Sequence, residues 1–516
     1  MAPKRIDLAL FAVVGIAAGI ACAIGPIGLI VAVLIFAAAM FLWFVLAEPK
    51  AALYLGFLLL LLAQIKFRSR DPAAALSGNI DSQIAFELLM YGLVLVIALV
   101  NLVRILDRPL APSRNELILG SYVFLAAISW FWSYAPSITL VRAFELAILY
   151  TFTFTAVRQL TPNGLLAALG ASLTFMVLTC AGLAAVFPWA SGTRIAHQLS
   201  DFSWESQARF TWFAVQPINA AAETGVALIF LVAVGLYLPD GWRRRFLRVP
   251  LWLYVVPLAI VLLVTRARGP LLATAVAILT LSLRKYVQMR VVLWASLLLV
   301  LLFVMIAVNT GTNLLSAEND VAGSANPIVQ FMLRGQSAGE FFSMTGRSGL
   351  WSTILSLFES RPILGYGYVA SRGVLLNVLP WAGEAHNALA ETLLDLGIVG
   401  VILVWIPLIS SLFSSLSGET PELHGWAESF LFATLVFLIF DGFSEAGFVG
   451  VVSTMPIVFF TVLFACGDAV RAPFAAASYQ FDRPASYRVF PEGARLHQGN
   501  GFAGGATDRG SALAER

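Results

Sequence analysis

Charge is scarce in this 516-residue chain: Asp, Glu, Lys and Arg make up 12%, while 59% of residues are hydrophobic. An ordinary soluble domain carries about 25% charged residues, so the composition is that of an integral membrane protein. Cysteine is almost absent. Cys22, Cys180 and Cys466 each sit in an apolar segment without paired spacing, and read as small buried hydrophobes rather than disulfide or metal partners. There are only four histidines, and no His, Asp or Cys group has metal-ligand spacing. No Walker-type G-K-S/T occurs, which excludes ATP hydrolysis as the energy source. The net charge of +3 comes with no basic arm interleaved with aromatics, so nucleic acid is not a partner. No internal repeat is visible.

What is plentiful is long apolar runs. Stretches of about 20 apolar residues are needed to cross a bilayer as helix. Fourteen are legible, at 7–24, 28–47, 51–66, 83–103, 116–133, 138–157, 164–187, 219–238, 250–265, 269–283, 291–309, 388–414, 427–445 and 449–468. The expected fold class is an all-α polytopic membrane protein of about 12–14 transmembrane helices. Its parts are a first helical block, 1–309; a long external loop, 310–386; a second helical block, 387–468; and a disordered tail, 469–516. Lys4 and Arg5 followed by an apolar stretch ending Ala21-Cys22-Ala23 resemble a signal peptide, but a second span follows at once and favours an uncleaved first helix.

Orientation follows from Lys and Arg in short loops. Arg243, Arg244, Arg245 and Arg248, together with Arg284, Lys285 and Arg290, put the turns at 239–249 and 284–290 on the cytoplasmic face. The loops 188–218 and 310–386 then lie outside. Two places break the rule: Lys66, Arg68 and Arg70, and the T-R-A-R-G turn from Thr265 to Gly269. Arg266 and Arg268 are either interfacial anchors or a phosphate site, since the guanidinium fork matches two phosphate oxygens. Arg209, at another outer helix end, is a secondary candidate.

The long loop is where a water-soluble substrate has access. Arg347 precedes G-L-W-S-T-I-L-S-L-F, which puts Leu350, Trp351, Ile354, Leu355 and Phe358 on one helical face. That helix either lies along the membrane interface or packs into a loop mini-domain. The run Gly365-Tyr366-Gly367-Tyr368-Val369-Ala370 matches a dinucleotide fingerprint by letter only, with no strand before it. It reads better as a glycine turn offering the rings of Tyr366 and Tyr368 to sugars. His386 ends the loop. An imidazole of pKa near 6.5 suits proton acceptance from a hydroxyl, with Glu384 as an alternative base or as the group that orients it. Asn387, Glu391 and Asp395 form a polar stripe on the next helix. Carboxylates there cost about 2.5–3.5 kcal/mol on insertion scales and must face protein or water. Arg142 and Glu145 read as a mutual ion pair.

Arg209 with Pro217 and Asn219, then T-R-A-R-G, then R-S-G-L-W with R-P-I-L-G-Y-G, then H-N-A-L-A-E-T-L-L-D-L-G-I-V-G, occur in that order between about 205 and 405. This series resembles the O-antigen ligase and O-antigen (exopolysaccharide, Wzy-type) polymerase superfamily. The resemblance implies a GT-C-like glycosyltransferase of the bacterial inner membrane with no metal and no cofactor. Such an enzyme moves glycan from undecaprenyl diphosphate to a sugar hydroxyl on the periplasmic face. By motif, the family's histidine falls on His386 and its two arginines on Arg347 and Arg266, with Arg268 the alternative to Arg266 for the diphosphate. Arg209 is a further diphosphate candidate, and Asn387, Glu391, Tyr366 and Tyr368 are acceptor-side or supporting residues. Implied partners are the lipid-linked oligosaccharide, membrane lipid, and chain-length regulator and flippase proteins. Polymerase is the leading expectation and ligase the alternative. A lipid-linked sugar flippase is the rival of another class, but it calls for midplane charges and a two-fold repeat.

Overall fold

Proline opens many of the helices. Its fixed φ suits the first helical turn, and its missing N–H is one that the turn would leave unpaired. In the computed structural model, α1 (Pro26–Ala47), α2 (Pro49–Leu62), α5 (Pro136–Gln159), α6 (Pro162–Val186) and α7 (Pro217–Tyr237) all start this way. Side chains cap others: Asp81 accepts from the Ile84 N–H ahead of α3 (Ser82–Ile105), and Ser113 and Glu116 form a capping box on α4 (Arg114–Ile128). The remaining helices are α8 (Trp252–Val264), α9 (Arg268–Arg284), α10 (Arg347–Ser360), α11 (Ser371–Val378), α12 (Ala388–Ser417), α13 (Gly425–Ser444) and α14 (Thr454–Ala469).

The structure describes residues 26–67, 81–106, 111–192, 209–238, 250–284, 347–379, 382–417, 423 and 425–469. Among them are no strands beyond isolated bridges, and the fold is all-α. Six helices, α3, α5, α6, α7, α12 and α13, are long and apolar enough to cross a membrane, and α2 and α8 are shorter apolar helices. The chain is thus a multi-pass membrane protein. The expected spans 7–24 and 291–309, Cys22, loop residues 310–346 and the tail lie outside the described residues. Cys180 and Cys466 are buried free thiols, as the sequence implies.

Burial sorts the helices. In α7 and α13, 72% of the membrane-length window is buried inside the protein, against 33% in α3. So α7 and α13, with α9 against both, form the centre, while α3 keeps a lipid-facing side. The expected span at 449–468 starts later than its hydropathy, because residues 445–453 are irregular and α14 begins only at Thr454.

One helix break shapes the functional end. Gly397 inside α12 has φ 64° and ψ −160°, which few residues other than glycine adopt. The break frees backbone groups, and the R-P-I-L-G-Y-G segment takes them up. Tyr366 and Gly367 donate to the carbonyls of Leu394 and Asp395, each at 2.8 Å, and Ile398 donates to the Pro362 carbonyl at 2.9 Å. The two most specific sequence runs are therefore each other's hydrogen-bond partners, as buried backbone requires.

Candidate functional site

Several connections meet at one end of the bundle. The Phe210 N–H donates to the Val264 carbonyl at 3.1 Å, the Tyr134 N–H to Tyr366 at 2.8 Å, and the Ala214 N–H to Lys66 at 2.5 Å. This end carries Lys66 and the T-R-A-R-G turn, both of which violate the charge rule. Lys66 is explained by an ion pair: its Nζ lies 3.2 Å from Glu87 Oε2, and Arg142 lies 2.7 Å from both Glu87 and Glu145. The expected Arg142–Glu145 pair is part of this larger network, which ties the segment after α2 to α3 and α5.

The T-R-A-R-G turn joins α8 to α9. Arg266 adopts φ 53°, in the left-handed region that side chains rarely enter. Arg209 braces it from the neighbouring loop, donating from Nε to the Thr265 carbonyl and from Nη2 to the Arg266 carbonyl, both at 3.3 Å. Burial lowers the pKa of the Arg209 guanidinium. Glu445 opposes that shift and Arg266 adds to it, so these three charges act on one another. Arg268, the first residue of α9, also lies within electrostatic reach of Arg209. Gly269 then passes so close to α13 that a Cβ there would stand 2.1 Å from Ser444 Oγ. That approach sets the arginine turn beside Ser444 and Glu445.

Glu445 completes the arrangement. Its Oε2 lies 3.0 Å from His386 Nδ1. His386 adopts φ 49°, so two of the four non-glycine residues with positive φ among the described residues are His386 and Arg266. Such strain costs of order 1–3 kcal/mol each and collects at functional sites. It is held here by a rigid frame. Glu391 accepts from the Ala385 N–H at 2.8 Å and from Ser371 Oγ at 2.6 Å, while Asp395 accepts from the Ser371 N–H at 2.9 Å. Trp351 of α10 donates from Nε1 to the Ala385 carbonyl at 3.2 Å. Both backbone polar groups of Ala385, the residue before His386, are therefore fixed.

The structure thus brings His386, Arg209, Arg266 and Arg268 to one end and treats other expected residues differently. Asn387 caps α12 by accepting from the Ala390 N–H at 3.0 Å, and donates to the Phe443 carbonyl at 3.1 Å. Glu391 and Asp395 are buried scaffold groups. Glu384 is near His386 but is not the carboxylate on its ring; Glu445 holds that place. Burial pushes the Glu384 carboxyl above the usual range, with Glu391 and Glu445 adding to this and His386 and Arg372 opposing it. Tyr368 is a correction: it is 1% exposed and its hydroxyl donates to the Gly450 carbonyl, leaving no ring face for a sugar. Tyr366 is likewise engaged, with its hydroxyl on the Leu357 carbonyl at 3.0 Å and Arg361 over its ring.

Arg347 is the first residue of α10; its side chain lies outside the described residues. The α10 face also differs from the expectation. Leu350 and Ile354 pack with Leu375, Ala382, Ala385 and Leu394 in a small separate core, whereas Leu355 is 57% exposed. The helix is built into a loop mini-domain. Sequence reasoning missed Glu445 because the residue that pairs with it is 59 positions away. The available signal was a carboxylate at a span's end in a turn lacking Lys and Arg.

Three arginines beside a carboxylate-backed imidazole form a set able to hold a polyanion and to deprotonate a hydroxyl. Residues 253–405 match the family model described as O-antigen ligase. No curated protein matches the chain.

Proposed function

We propose that this chain, which matches the family model described as O-antigen ligase over residues 253–405, polymerises lipid-linked oligosaccharide repeat units. The glycan moves from undecaprenyl diphosphate to a sugar hydroxyl at the periplasmic face of the bacterial inner membrane. The observation that carries this reading is the His386–Glu445 pair, 3.0 Å apart, at the same end of the bundle as the Arg209, Arg266 and Arg268 group.

In the proposed mechanism, Glu445 accepts a hydrogen bond from the Nδ1–H of His386 and so leaves Nε2 with the lone pair. Nε2 takes the proton of the acceptor hydroxyl, a step worth roughly 10²–10⁴-fold. The oxygen attacks the anomeric carbon from the face opposite the leaving group, and the configuration inverts. Arg266 and Arg268, with Arg347 from α10, neutralise the diphosphate as the glycosidic bond breaks. Charge placed where charge develops is usually the largest catalytic term, and removal of one such donor costs about 2.7–4 kcal/mol. Arg209 serves by holding the Arg266 turn. In this reading the lipid diphosphate is itself the activated leaving group, and the arginines supply the charge that its departure calls for.

The matched family is described as O-antigen ligase, which favours a second reading with lipid A core as the acceptor. Both readings are tested by His386→Ala and Arg347→Ala in cells lacking the native gene, scoring surface polysaccharide and lipid-linked intermediates. Single repeat units left on the lipid, at normal protein level, support the polymerase. Full-length chains on the lipid point to the ligase. Wild-type polysaccharide from both variants refutes the catalytic assignment.

A further inference from the structure

One cation at this end has no part in the mechanism above. Arg372, the second residue of α11, is half-buried, and its Nε is buried with no hydrogen-bond partner. Among the described residues it forms no ion pair. Its guanidinium lies against the loop just before His386: a Cβ at Gly383 would stand 3.8 Å from Nε and 3.9 Å from Nη2. A guanidinium packed against backbone at a loop that ends in the proposed base, and lacking a counter-ion contact, is an unusual use of charge in a membrane protein.

Arg372 acts on the carboxyl of Glu384, two residues before His386, as His386, Glu391 and Glu445 also do. The same short helix holds an aromatic ring: Tyr134, 51% exposed, packs against Gly373, and its hydroxyl accepts from Asn377 Nδ2. A forked cation and an accessible ring, both held at one short helix, are the chemistry that recognises a sugar bearing an oxyanion.

We propose that Arg372 binds an anionic substituent, a carboxylate or a phosphate, on the acceptor saccharide, making the enzyme selective for acidic glycans. This rests on the donor diphosphate lying with Arg266 and Arg268. Arg372 does not touch the reacting atoms; it positions the acceptor against His386.

The test uses the full-length protein in lipid nanodiscs and saturation-transfer NMR with methyl β-glucuronide, glucose 6-phosphate and methyl β-glucoside. Undecaprenyl diphosphate affinity is measured alongside. The wild type is expected to bind one of the two anionic sugars at least about tenfold more tightly than the neutral glucoside, and Arg372→Gln to abolish that preference. Donor-lipid affinity should stay within about twofold. Whichever anion binds identifies the substituent. Arg372→Lys keeps the charge without the fork and should retain part of the preference, which also covers poor folding of the Gln variant. Three results overturn the proposal. The wild type shows no preference, or Arg372→Gln weakens donor-lipid binding as much as sugar binding, or Glu384→Gln restores the preference in the double variant, showing that Arg372 only balances Glu384. Donor-lipid affinity unchanged in Arg266→Gln/Arg268→Gln would instead remove the premise about the donor, a separate readout.

Discussion

Replacing Glu445 with Gln tests the proposed base most directly. The amide keeps the shape of the carboxylate and an oxygen that still accepts from His386 Nδ1, 3.0 Å away, but the negative charge is gone. As His386 takes up the acceptor proton it becomes a cation. Two unit charges about 4 Å apart attract by about 4 kcal/mol at the effective dielectric of a protein surface. The His386 side chain is 31% exposed and that of Glu445 only 9%, so solvent screens part of this attraction. A hydrogen bond to a charged group contributes about 1.5–3 kcal/mol, which is the magnitude to expect here. The outcome is a fall in kcat of about 10–150-fold with little change in donor KM, because the lost interaction exists mainly in the transition state. The assay is single-turnover transfer from labelled lipid-linked repeat units by the protein in nanodiscs. A kcat within about twofold of wild type, or a loss confined to KM, would refute the dyad.

Other perturbations follow from the same geometry. Because burial holds the Glu384 pKa above its unfolded value, ionising it opposes folding, so this group's contribution declines as pH rises from the unfolded to the folded pKa. Glu384→Gln should therefore match the wild type in melting temperature at acidic pH and exceed it near neutrality; equal melting temperatures throughout would refute the burial argument. Gly397→Ala forces a Cβ to 2.3 Å from the Ile363 carbonyl at φ 64°, and should cost well over the roughly 1–2 kcal/mol of a left-handed residue, read as lost folded yield in detergent. Gly269→Ala pushes on Ser444 and should lower turnover by separating the arginine turn from Glu445. The added change Ser444→Gly should recover much of that turnover; no recovery would show that the close approach does not set the site.

Composition and the period of apolar runs were enough for the fold class, since lipid demands that every backbone group be satisfied within a helix. Twelve of the expected spans coincide with described helices for this reason. His386 and the T-R-A-R-G arginines were also legible as candidates, because one of only four histidines and arginines on the wrong side of a charge rule stand out against apolar background. The tertiary structure decided the rest. The Gly365 and Gly367 segment reads in one dimension as a turn that presents tyrosine rings, whereas in the fold it satisfies the carbonyls that the Gly397 break exposes in α12. Tyr368 looks like a sugar platform in sequence and is buried, because the turn that carries it folds inward onto Gly450. Glu445 reaches His386 only because the end of α13 packs against the loop that carries it. Local pattern reports which face of a helix is apolar, while the partner of a charge depends on which helix ends meet in space.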